Sequence, residues 1–188
     1  MDDQLREELL EVLARESYFE RELTLSSGRG SKYYIDCRRT LYLGRGAYLA
    51  GELMLDLVVA QGVAQIGGMA TGALAITDAV VGAAYRRGVD ITGFFVRKEI
   101  KPHGLQQQIE GAFRPHRLTG VIDDTVTTGA SSLAAASAAR EAGARVSTAF
   151  ALVDRGEGAR EAFARAGLTY VYLFTAEEVR ARARKRAG

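Results

Sequence analysis

The spacing of apolar residues changes several times along the chain, and each change marks a boundary between predicted elements. The first helix is predicted from apolar residues that follow Asp2-Asp3 every three or four positions: Leu5, Leu9, Val12 and Leu13. The same spacing over residues 47–59 predicts a second helix. A short apolar run at 33–36 predicts a strand between these two helices.

From residue 63 onward, apolar runs alternate with alanine-rich stretches. The runs predict buried strands at 63–66, 91–96, 118–122, 146–153 and 170–174. The alanine-rich stretches predict helices at 73–87, 132–142 and 159–166. Gly88, Gly143 and Gly167 follow these helices, where glycine commonly ends a helix, and Thr175 with Glu178 has the capping-box spacing for a last helix. The alternation predicts an α/β fold whose parallel central sheet is flanked by helices on both faces.

The segment 97–117 interrupts this alternation. It has no clean period, yet it contains both prolines and both histidines of the chain: Pro102, Pro115, His103 and His116. Irregular loops longer than about 12–15 residues are uncommon in compact domains, and they are usually functional lids or disordered. The segment is therefore a candidate for a functional loop.

Length and charge narrow the class of protein. The 188 residues suit one domain, so a single domain over 1–188 is expected. The formal net charge of +2 is too small to indicate a nucleic-acid partner. No apolar run approaches the ~20 residues that span a bilayer, and no apolar signal region follows the acidic start. We therefore expect a cytoplasmic protein without a membrane partner.

Two local features allow more than one interpretation. The basic run 180–186 closes the predicted last helix, where cations favour the C-terminal dipole and solvent. A solvated helix face is the main interpretation of this run, and a nucleic-acid-binding arm is the alternative. The lone cysteine, Cys37, cannot form a disulfide within the chain. A small half-buried side chain is favoured there over a catalytic thiol.

The strongest chemical signal lies in residues 121–131, Val-Ile-Asp-Asp-Thr-Val-Thr-Thr-Gly-Ala-Ser. An apolar strand delivers two carboxylates, Asp123 and Asp124, and a turn of small hydroxylated residues around Gly129 then opens a helix. Ligands of parallel sheets bind beyond the carboxyl ends of the strands, and a helix N-terminus offers N–H groups and a positive dipole to a phosphate. A phosphorylated sugar with adjacent hydroxyls would satisfy both the acidic pair and this anion cradle.

Two other interpretations explain the segment less well. A strand that ends in Asp123-Asp124 could be a Walker B element, but the chain contains no G-x-x-x-x-G-K-[ST] sequence to accompany it. The pair could also lie beside a capping threonine without any ligand. Two adjacent carboxylates at the binding edge of a sheet are costly without something to bind.

Residues 122–131 resemble the motif of type I phosphoribosyltransferases that binds phosphoribosyl pyrophosphate (PRPP). In that family the acidic pair binds the ribose hydroxyls and the following turn holds the 5′-phosphate. The resemblance implies the type I fold, with a small N-terminal helix/strand hood over 1–40. Thr125 and Ala130 depart from the pattern, in which an aliphatic residue and a threonine are more usual. The resemblance implies PRPP contacts for Asp123, Asp124, Thr125, Val126, Thr127, Thr128, Gly129, Ala130 and Ser131.

The irregular segment resembles the mobile catalytic loop of orotate phosphoribosyltransferases. Its cations have the spacing of that family, which implies that they close on the pyrophosphate of PRPP: Arg97, Lys98, Lys101 and His103. Pyrophosphate leaves poorly unless its growing charge is neutralised, and closure also excludes water. Either Lys101 or His103 could donate a proton or a hydrogen bond, and the sequence does not choose between them. A solvated basic loop is the alternative.

Two further segments resemble the same family. Residues 25–36 resemble its orotate-site segment, in which Tyr34 and Ile35 could cover a flat pyrimidine ring or equally serve as core. Residues 67–73 follow a predicted strand and open a helix, and they resemble the pyrophosphate-binding loop. That resemblance implies pyrophosphate contacts at Ala70, Thr71 and Gly72.

Arg155 ends a predicted strand at the same edge of the sheet. In the family the matching arginine pairs with the carboxylate of the substrate, which a guanidinium fits in two-point fashion. The resemblance thus implies that Arg155 and Thr127 hold orotate. An Asp154-Arg155 pair that merely closes the strand is the alternative.

Taken together, the resemblances imply that the chain transfers the 5-phosphoribosyl group from PRPP to orotate in pyrimidine biosynthesis. They imply catalytic roles for Lys101, His103, Asp123 and Asp124. They also imply Mg²⁺ carried largely by PRPP rather than by a dedicated protein site, and a homodimer in which the loop 97–117 reaches the neighbouring subunit. Two alternatives stay open: a phosphoribosyltransferase for another base, and a non-catalytic PRPP-sensing regulator. Arg155 disfavours a purine base, which has no carboxylate, and the loop cations disfavour a regulator.

Overall fold

The computed structural model of the chain describes residues 2–24, 30–98 and 108–187. The helices within these ranges are α1 (Asp3–Glu16), α2 (Cys37–Leu41), α3 (Gly44–Ala60), α4 (Gly72–Arg86), α5 (Ala130–Glu141), α6 (Ala159–Arg165) and α7 (Ala176–Ala187). The strands are β1 (Tyr18–Thr24), β2 (Gly30–Ile35), β3 (Gln65–Met69), β4 (Thr92–Val96), β5 (Ile109–Gly111), β6 (Leu118–Val126), β7 (Arg145–Asp154) and β8 (Thr169–Thr175).

Six of these strands form one central sheet in the order β5-β4-β3-β6-β7-β8. All neighbours in it are parallel except β5, which runs antiparallel to β4, and β1 with β2 forms a separate antiparallel hairpin. The chain leaves β3 toward one edge of the sheet, whereas it leaves β6 toward the other. Ligands of open α/β sheets bind where the strand order reverses in this way. The topology therefore places a binding crevice at the carboxyl ends of β3 and β6.

Local capping chemistry explains where several helices begin and end. The carboxylate of Asp2 accepts hydrogen bonds from the N–H groups of Gln4 (2.9 Å) and Leu5 (3.2 Å), which fixes the start of α1. The three glycines predicted to end helices all have positive φ: Gly88 at 66°, Gly143 at 91° and Gly167 at 69°. The capping box of α7 is confirmed, since Glu178 N–H donates to Thr175 Oγ1 and Thr175 N–H donates to Glu178 Oε2.

Apolar side chains fill both faces of the sheet. One cluster joins α1, α3, α4 and α7 to the sheet through fully buried residues such as Leu13, Leu53, Ile76 and Phe174. A second cluster lies under α5 and α6 and includes Ala135, Ala139 and Phe163. Burial of this kind is the main favourable contribution to folding. The predicted parallel sheet with helices on both faces is thus confirmed, with β5 as an antiparallel edge.

The N-terminal part and two strand boundaries differ from the sequence-based prediction. β1 and α2 were not predicted, and Asp36 caps α2 instead of ending the strand. β3 begins at Gln65 and continues through Gly67 and Gly68, where no apolar side chain signals a strand. β6 extends to Val126, so the acidic pair lies within the strand. The segment 97–117, expected to be irregular, contributes β5 at the sheet edge because its residues pair with β4.

The basic run 180–186 is exposed at Arg184, Lys185 and Arg186, as expected for a solvated helix face, and it also forms ion pairs with the N-terminal segments. Arg182 forms ion pairs with Glu7 (2.5 Å) and Glu11 (3.3 Å) of α1, and Arg184 forms one with Glu20 at 3.3 Å. The run therefore joins α7 to the N-terminal segments through complementary charge. None of the helices in the described ranges has the length and apolar character needed to cross a membrane.

Candidate active site

The acidic pair lies at the carboxyl end of β6, close to the reversal of strand order. Asp123 and Asp124 are each 9% exposed. Burial raises the pKa of Asp123, and the negative charge of Asp124 adds to this rise, while the positive charge of Lys98 acts in the opposite direction. Burial also raises the pKa of Asp124, against the hydrogen bond that its Oδ1 accepts from the N–H of Thr125 at 2.6 Å. The site therefore holds two carboxyls that favour a cation or a hydrogen-bond donor beside them.

The turn after the acidic pair, predicted to be an anion cradle, lines a cavity at the N-terminus of α5. A cavity of about 390 Å³ is lined by Asp123, Thr125, Val126, Thr127, Thr128, Gly129, Ala130, Ser131 and Ser132. No side chain caps the N-terminus of α5, so its first N–H groups are left for a ligand. Gly129 has φ of 82°, and a Cβ on it would lie 2.9 Å from the ring of Phe163, so the turn requires glycine.

Ser132 lies one residue beyond the predicted motif and was missed. It is 2% exposed and lines the same cavity. Among the described residues, its buried Oγ has no hydrogen-bond partner. A further hydroxyl directly after Ser131 was the available signal, and it makes Ser132 an additional candidate for the cradle.

The loop after β3 meets the acidic pair from the neighbouring strand. A Cβ built on Gly72 would lie 2.8 Å from Oδ1 of Asp123 and 3.5 Å from Oδ1 of Asp124. Gly72 is the first residue of α4, so the positive end of that helix faces the carboxylates. Thr71 is exposed and Ala70 is partly exposed. The predicted pyrophosphate loop and the predicted PRPP motif therefore lie against each other.

Helix α2 contacts β6, the strand that carries the acidic pair. Thr125 Oγ1 donates a hydrogen bond to the sulfur of Cys37 at 3.2 Å, which gives a role to the threonine that replaces an aliphatic residue. Cys37 is fully buried, and burial followed by the charge of Asp124 raises its pKa, which disfavours a catalytic thiol. Asp36 pairs with Arg38 at 2.7 Å. Sequence reasoning missed the contact between Cys37 and Thr125 because these residues lie 88 positions apart.

Arg155 lies at the same edge of the sheet, beyond β7. Its side chain is 4% exposed, and its Nε donates to Oε1 of Glu157 at 2.8 Å. The guanidinium carbon lies 4.9 Å from the centroid of the Tyr33 ring. The backbone N–H of Arg155 donates to the carbonyl of Val126 at 2.9 Å, so the arginine is attached to the strand that carries the acidic pair. Glu157 and Tyr33 were not identified from the sequence.

The two residues predicted to cover a pyrimidine ring separate in the structure. Tyr34 is partly exposed. Ile35 is 3% exposed and belongs to the core cluster with α1 and α3, so the interpretation of Ile35 as a ring-covering residue is corrected to core. The neighbouring Tyr33 instead faces Arg155. Alternation along β2 explains why Tyr34 and Ile35 point to opposite faces of the strand, and it places Tyr33 on the same face as Ile35.

The predicted catalytic loop is described only at its two ends. Arg97 N–H donates to the carbonyl of Gln108 at 2.9 Å, and the guanidinium of Arg97 pairs with Glu110 of β5. Lys98 is exposed. Lys101 and His103 lie outside the described residues. The structure thus brings the base of the loop to the carboxyl end of β4, beside the loop that follows β3.

The described residues contain no group of three or more His, Cys, Asp or Glu side chains placed to hold a metal ion. Asp123 and Asp124 are nevertheless suited to a cation that a ligand carries, because burial destabilises both carboxylates and the charge of Asp124 further destabilises that of Asp123.

Comparison with known proteins decides the family. An orotate phosphoribosyltransferase from Bradyrhizobium sp. (strain ORS 278) is 42% identical over 177 residues, which cover 92% of this chain and 96% of that protein. The chain belongs to the orotate phosphoribosyltransferase family. An orotate phosphoribosyltransferase from Rhodopirellula baltica is also 42% identical, over 173 residues that cover 89% of this chain and 90% of that protein. No family model matches the chain.

Solved structures agree with this membership. The orotate phosphoribosyltransferase of Mycobacterium tuberculosis H37Rv in complex with PRPP has a TM-score of 0.79 at 34% identity, and the match covers 93% of this chain and 98% of that one. A phosphoribosyltransferase from Corynebacterium diphtheriae has a TM-score of 0.84 at 33% identity, and the match covers 94% of this chain and 98% of that one. The family and the fold predicted from the sequence are therefore confirmed.

Proposed function

We propose that this chain transfers the 5-phosphoribosyl group from PRPP to orotate and produces orotidine 5′-monophosphate and pyrophosphate. The observation that carries the proposal is a buried acidic pair set between two uncapped helix N-termini in a member of the orotate phosphoribosyltransferase family. PRPP has the matching chemistry, because its ribose hydroxyls lie between a 5′-phosphate and a pyrophosphate. The reaction is one step in the synthesis of pyrimidine nucleotides.

In this proposal the cradle of residues 127–131 holds the 5′-phosphate at the N-terminus of α5. Asp123 and Asp124 accept hydrogen bonds from the ribose hydroxyls and favour the positive charge that develops on the sugar. Binding of the 5′-phosphate, which lies away from the reacting centre, supplies energy that holds C1 of the ribose in place. The loop 70–72 and the N-terminus of α4 face the pyrophosphate.

The leaving group and the base are assigned to residues around this centre. Arg97, Lys98, Lys101 and His103 neutralise the pyrophosphate as it leaves, and Arg155 with Thr127 holds orotate. Asp123 and Asp124 are suited to Mg²⁺ that arrives with PRPP, and bound Mg²⁺ would neutralise phosphate charge. Family membership further supports a homodimer in which the loop 97–117 serves the neighbouring subunit. The cytoplasmic location stays a prediction.

Loss of orotate absorbance after addition of PRPP and Mg²⁺ tests the function directly. Hypoxanthine, adenine and uracil run in parallel test the choice of base. We expect turnover with orotate alone. Turnover with another base instead would contradict the role of Arg155, and PRPP binding without turnover of any base would favour a PRPP-sensing regulator.

Replacing Gly72 with alanine is expected to weaken PRPP binding with little loss of stability. The new Cβ would lie 2.8 Å from Oδ1 of Asp123, and the flexible carboxylate would move to relieve this contact. A displaced carboxylate should raise KM for PRPP by about 10-fold or more, because small misplacements of binding groups are costly. Steady-state kinetics and thermal unfolding measure the two effects.

Gly82→Ala is the matched control for this variant, because Gly82 belongs to the same helix and a Cβ there comes no closer than 3.6 Å to the Arg86 side chain. Its kinetics should equal those of the wild type. An unchanged KM for PRPP in Gly72→Ala would show that the loop after β3 does not act on the acidic pair.

A further inference from the structure

The guanidinium of Arg155 is held by side chains from two separate segments. Glu157 binds its Nε from the turn after β7. Tyr33 of β2 covers its face, with 4.9 Å between the guanidinium carbon and the ring centroid. Tyr33 is itself stacked on Tyr18 at 5.8 Å and approached by Arg180 at 5.7 Å. The N-terminal hairpin, α7 and the sheet edge therefore meet around this arginine.

The backbone of the turn is shaped so that Glu157 folds back on Arg155. Gly156 N–H donates to Oδ1 of the buried Asp154 at 3.2 Å, and Gly156 has φ of 69°. Gly158, with φ of 99°, then leads into α6. Side chains at residues 155 and 157 meet because this turn reverses direction. The carboxylate of Glu157 is only 17% exposed, so its contact with Nε is shielded from water.

A hydrogen bond at Nε and a ring against the face together restrict a guanidinium strongly. The bond fixes the direction of the guanidinium in its own plane, and the ring limits its tilt. An arginine restrained in this way can bind a carboxylate through two hydrogen bonds, and binding then costs little additional side-chain conformational entropy. The negative charge of Glu157 also offsets the charge of Arg155, which reduces a general attraction for anions and leaves directional hydrogen bonding to select the ligand.

We propose that Glu157 is a positioning residue for Arg155, and that Glu157 and Tyr33 together determine specificity for a base that bears a carboxylate. This inference rests on the proposed function, in which Arg155 contacts orotate. Glu157 and Tyr33 act through the arginine and do not take part in the chemistry. PRPP is bound elsewhere, by the cradle and the acidic pair, so its binding is independent of both residues.

Kinetics of Glu157→Ala and Glu157→Gln separate this role from a merely structural one. The alanine variant should raise KM for orotate by about 10-fold or more, as expected for loss of a charge-assisted hydrogen bond, while KM for PRPP stays within about twofold. The glutamine variant keeps an acceptor for Nε, so it should restore most of the affinity for orotate. Glu161→Ala, at an exposed position of α6, is the matched control and should behave as the wild type.

Tyr33 supplies a second test that does not depend on the folding of the Glu157 variants. Tyr33→Phe keeps the ring and should retain the KM for orotate, whereas Tyr33→Leu should raise it without changing the KM for PRPP. Equal KM values for orotate in wild type, Glu157→Ala and Tyr33→Leu would overturn this inference and leave the proposed function unaffected. A parallel rise of both KM values would overturn it as well, since that pattern indicates general damage.

The reference variant Arg155→Ala separates this inference from the proposed function. A large rise in KM for orotate in Arg155→Ala supports the contact on which the inference rests. A wild type that does not use orotate would refute the proposed function and the inference with it. Normal use of orotate by Arg155→Ala would leave the reaction in place and refute the assignment of Arg155, Glu157 and Tyr33.

Discussion

Replacement of Asp123 by asparagine is expected to reduce turnover by about 10²- to 10³-fold, the usual loss when one electrostatic group of an active site is removed. The same change should stabilise the free protein at neutral and alkaline pH. Burial and the charge of Asp124 raise the pKa of Asp123, so the fold disfavours its ionised form. An asparagine of nearly equal shape removes that charge. Activity and stability should thus change in opposite directions.

The direction in which stability changes with pH follows from the difference in proton binding between the folded and unfolded states. A carboxyl whose pKa is raised by folding binds more protons in the folded state than in the unfolded state, so stability falls as pH rises. The destabilisation is absent well below the ordinary pKa of 3.8 and is complete only above the raised pKa. The thermal unfolding midpoint of Asp123→Asn should therefore be higher than that of the wild type at pH 8, and the difference should shrink toward pH 4.

Thermal unfolding of the free protein at both pH values, together with turnover at saturating PRPP, measures this prediction. Asp124→Asn should behave in the same way, because burial raises the pKa of Asp124 as well. Asp78→Asn, at an exposed position of α4, is the control for loss of one negative charge. A lower unfolding midpoint for Asp123→Asn at pH 8 would indicate that the ionised pair stabilises the free protein.

Parts of the site that are contiguous in sequence could be predicted from the sequence. The acidic pair, the turn around Gly129 and the start of α5 lie within residues 122–131, so their chemistry and order are readable directly. The long strands β6, β7 and β8 were predicted because they are apolar over most of their length. Helix ends followed from local signals such as the capping box at Thr175.

Contacts between distant segments could not be predicted in this way. The bond between Cys37 and Thr125 joins residues 88 positions apart, and Tyr33 reaches Arg155 from another element. The apolar pattern also failed for β3, because the strand continues through Gly67 and Gly68, which have no side chains to form a pattern. Only the neighbouring strands explain these glycines. A Cβ on Gly67 would lie 2.3 Å from the carbonyl oxygen of Phe94 on β4.

Gly68→Ala is expected to destabilise the protein more than Gly44→Ala, Gly72→Ala or Gly82→Ala. A Cβ on Gly68 would lie 2.1 Å from the carbonyl oxygen of Ile122 and 2.7 Å from Cβ of Ala73. The first of these atoms belongs to the backbone of β6 and cannot rotate away, so β3 and β6 must separate in the centre of the sheet. Overpacking of a rigid core typically costs about 1–3 kcal/mol, which corresponds to a fall of roughly 2–12 °C in the unfolding midpoint.

The same displacement reaches the active site, because Ile122 directly precedes Asp123. Gly68→Ala should therefore lose both stability and turnover, whereas Gly72→Ala, whose close contact is a flexible carboxylate, should lose mainly affinity for PRPP. Gly44→Ala is the control, since no atom lies within 4 Å of a Cβ at that position. Thermal unfolding and steady-state kinetics on the three variants distinguish a contact with backbone from a contact with a side chain. A Gly68→Ala protein as stable as Gly44→Ala would mean that β3 and β6 do not pack as closely as the structure places them.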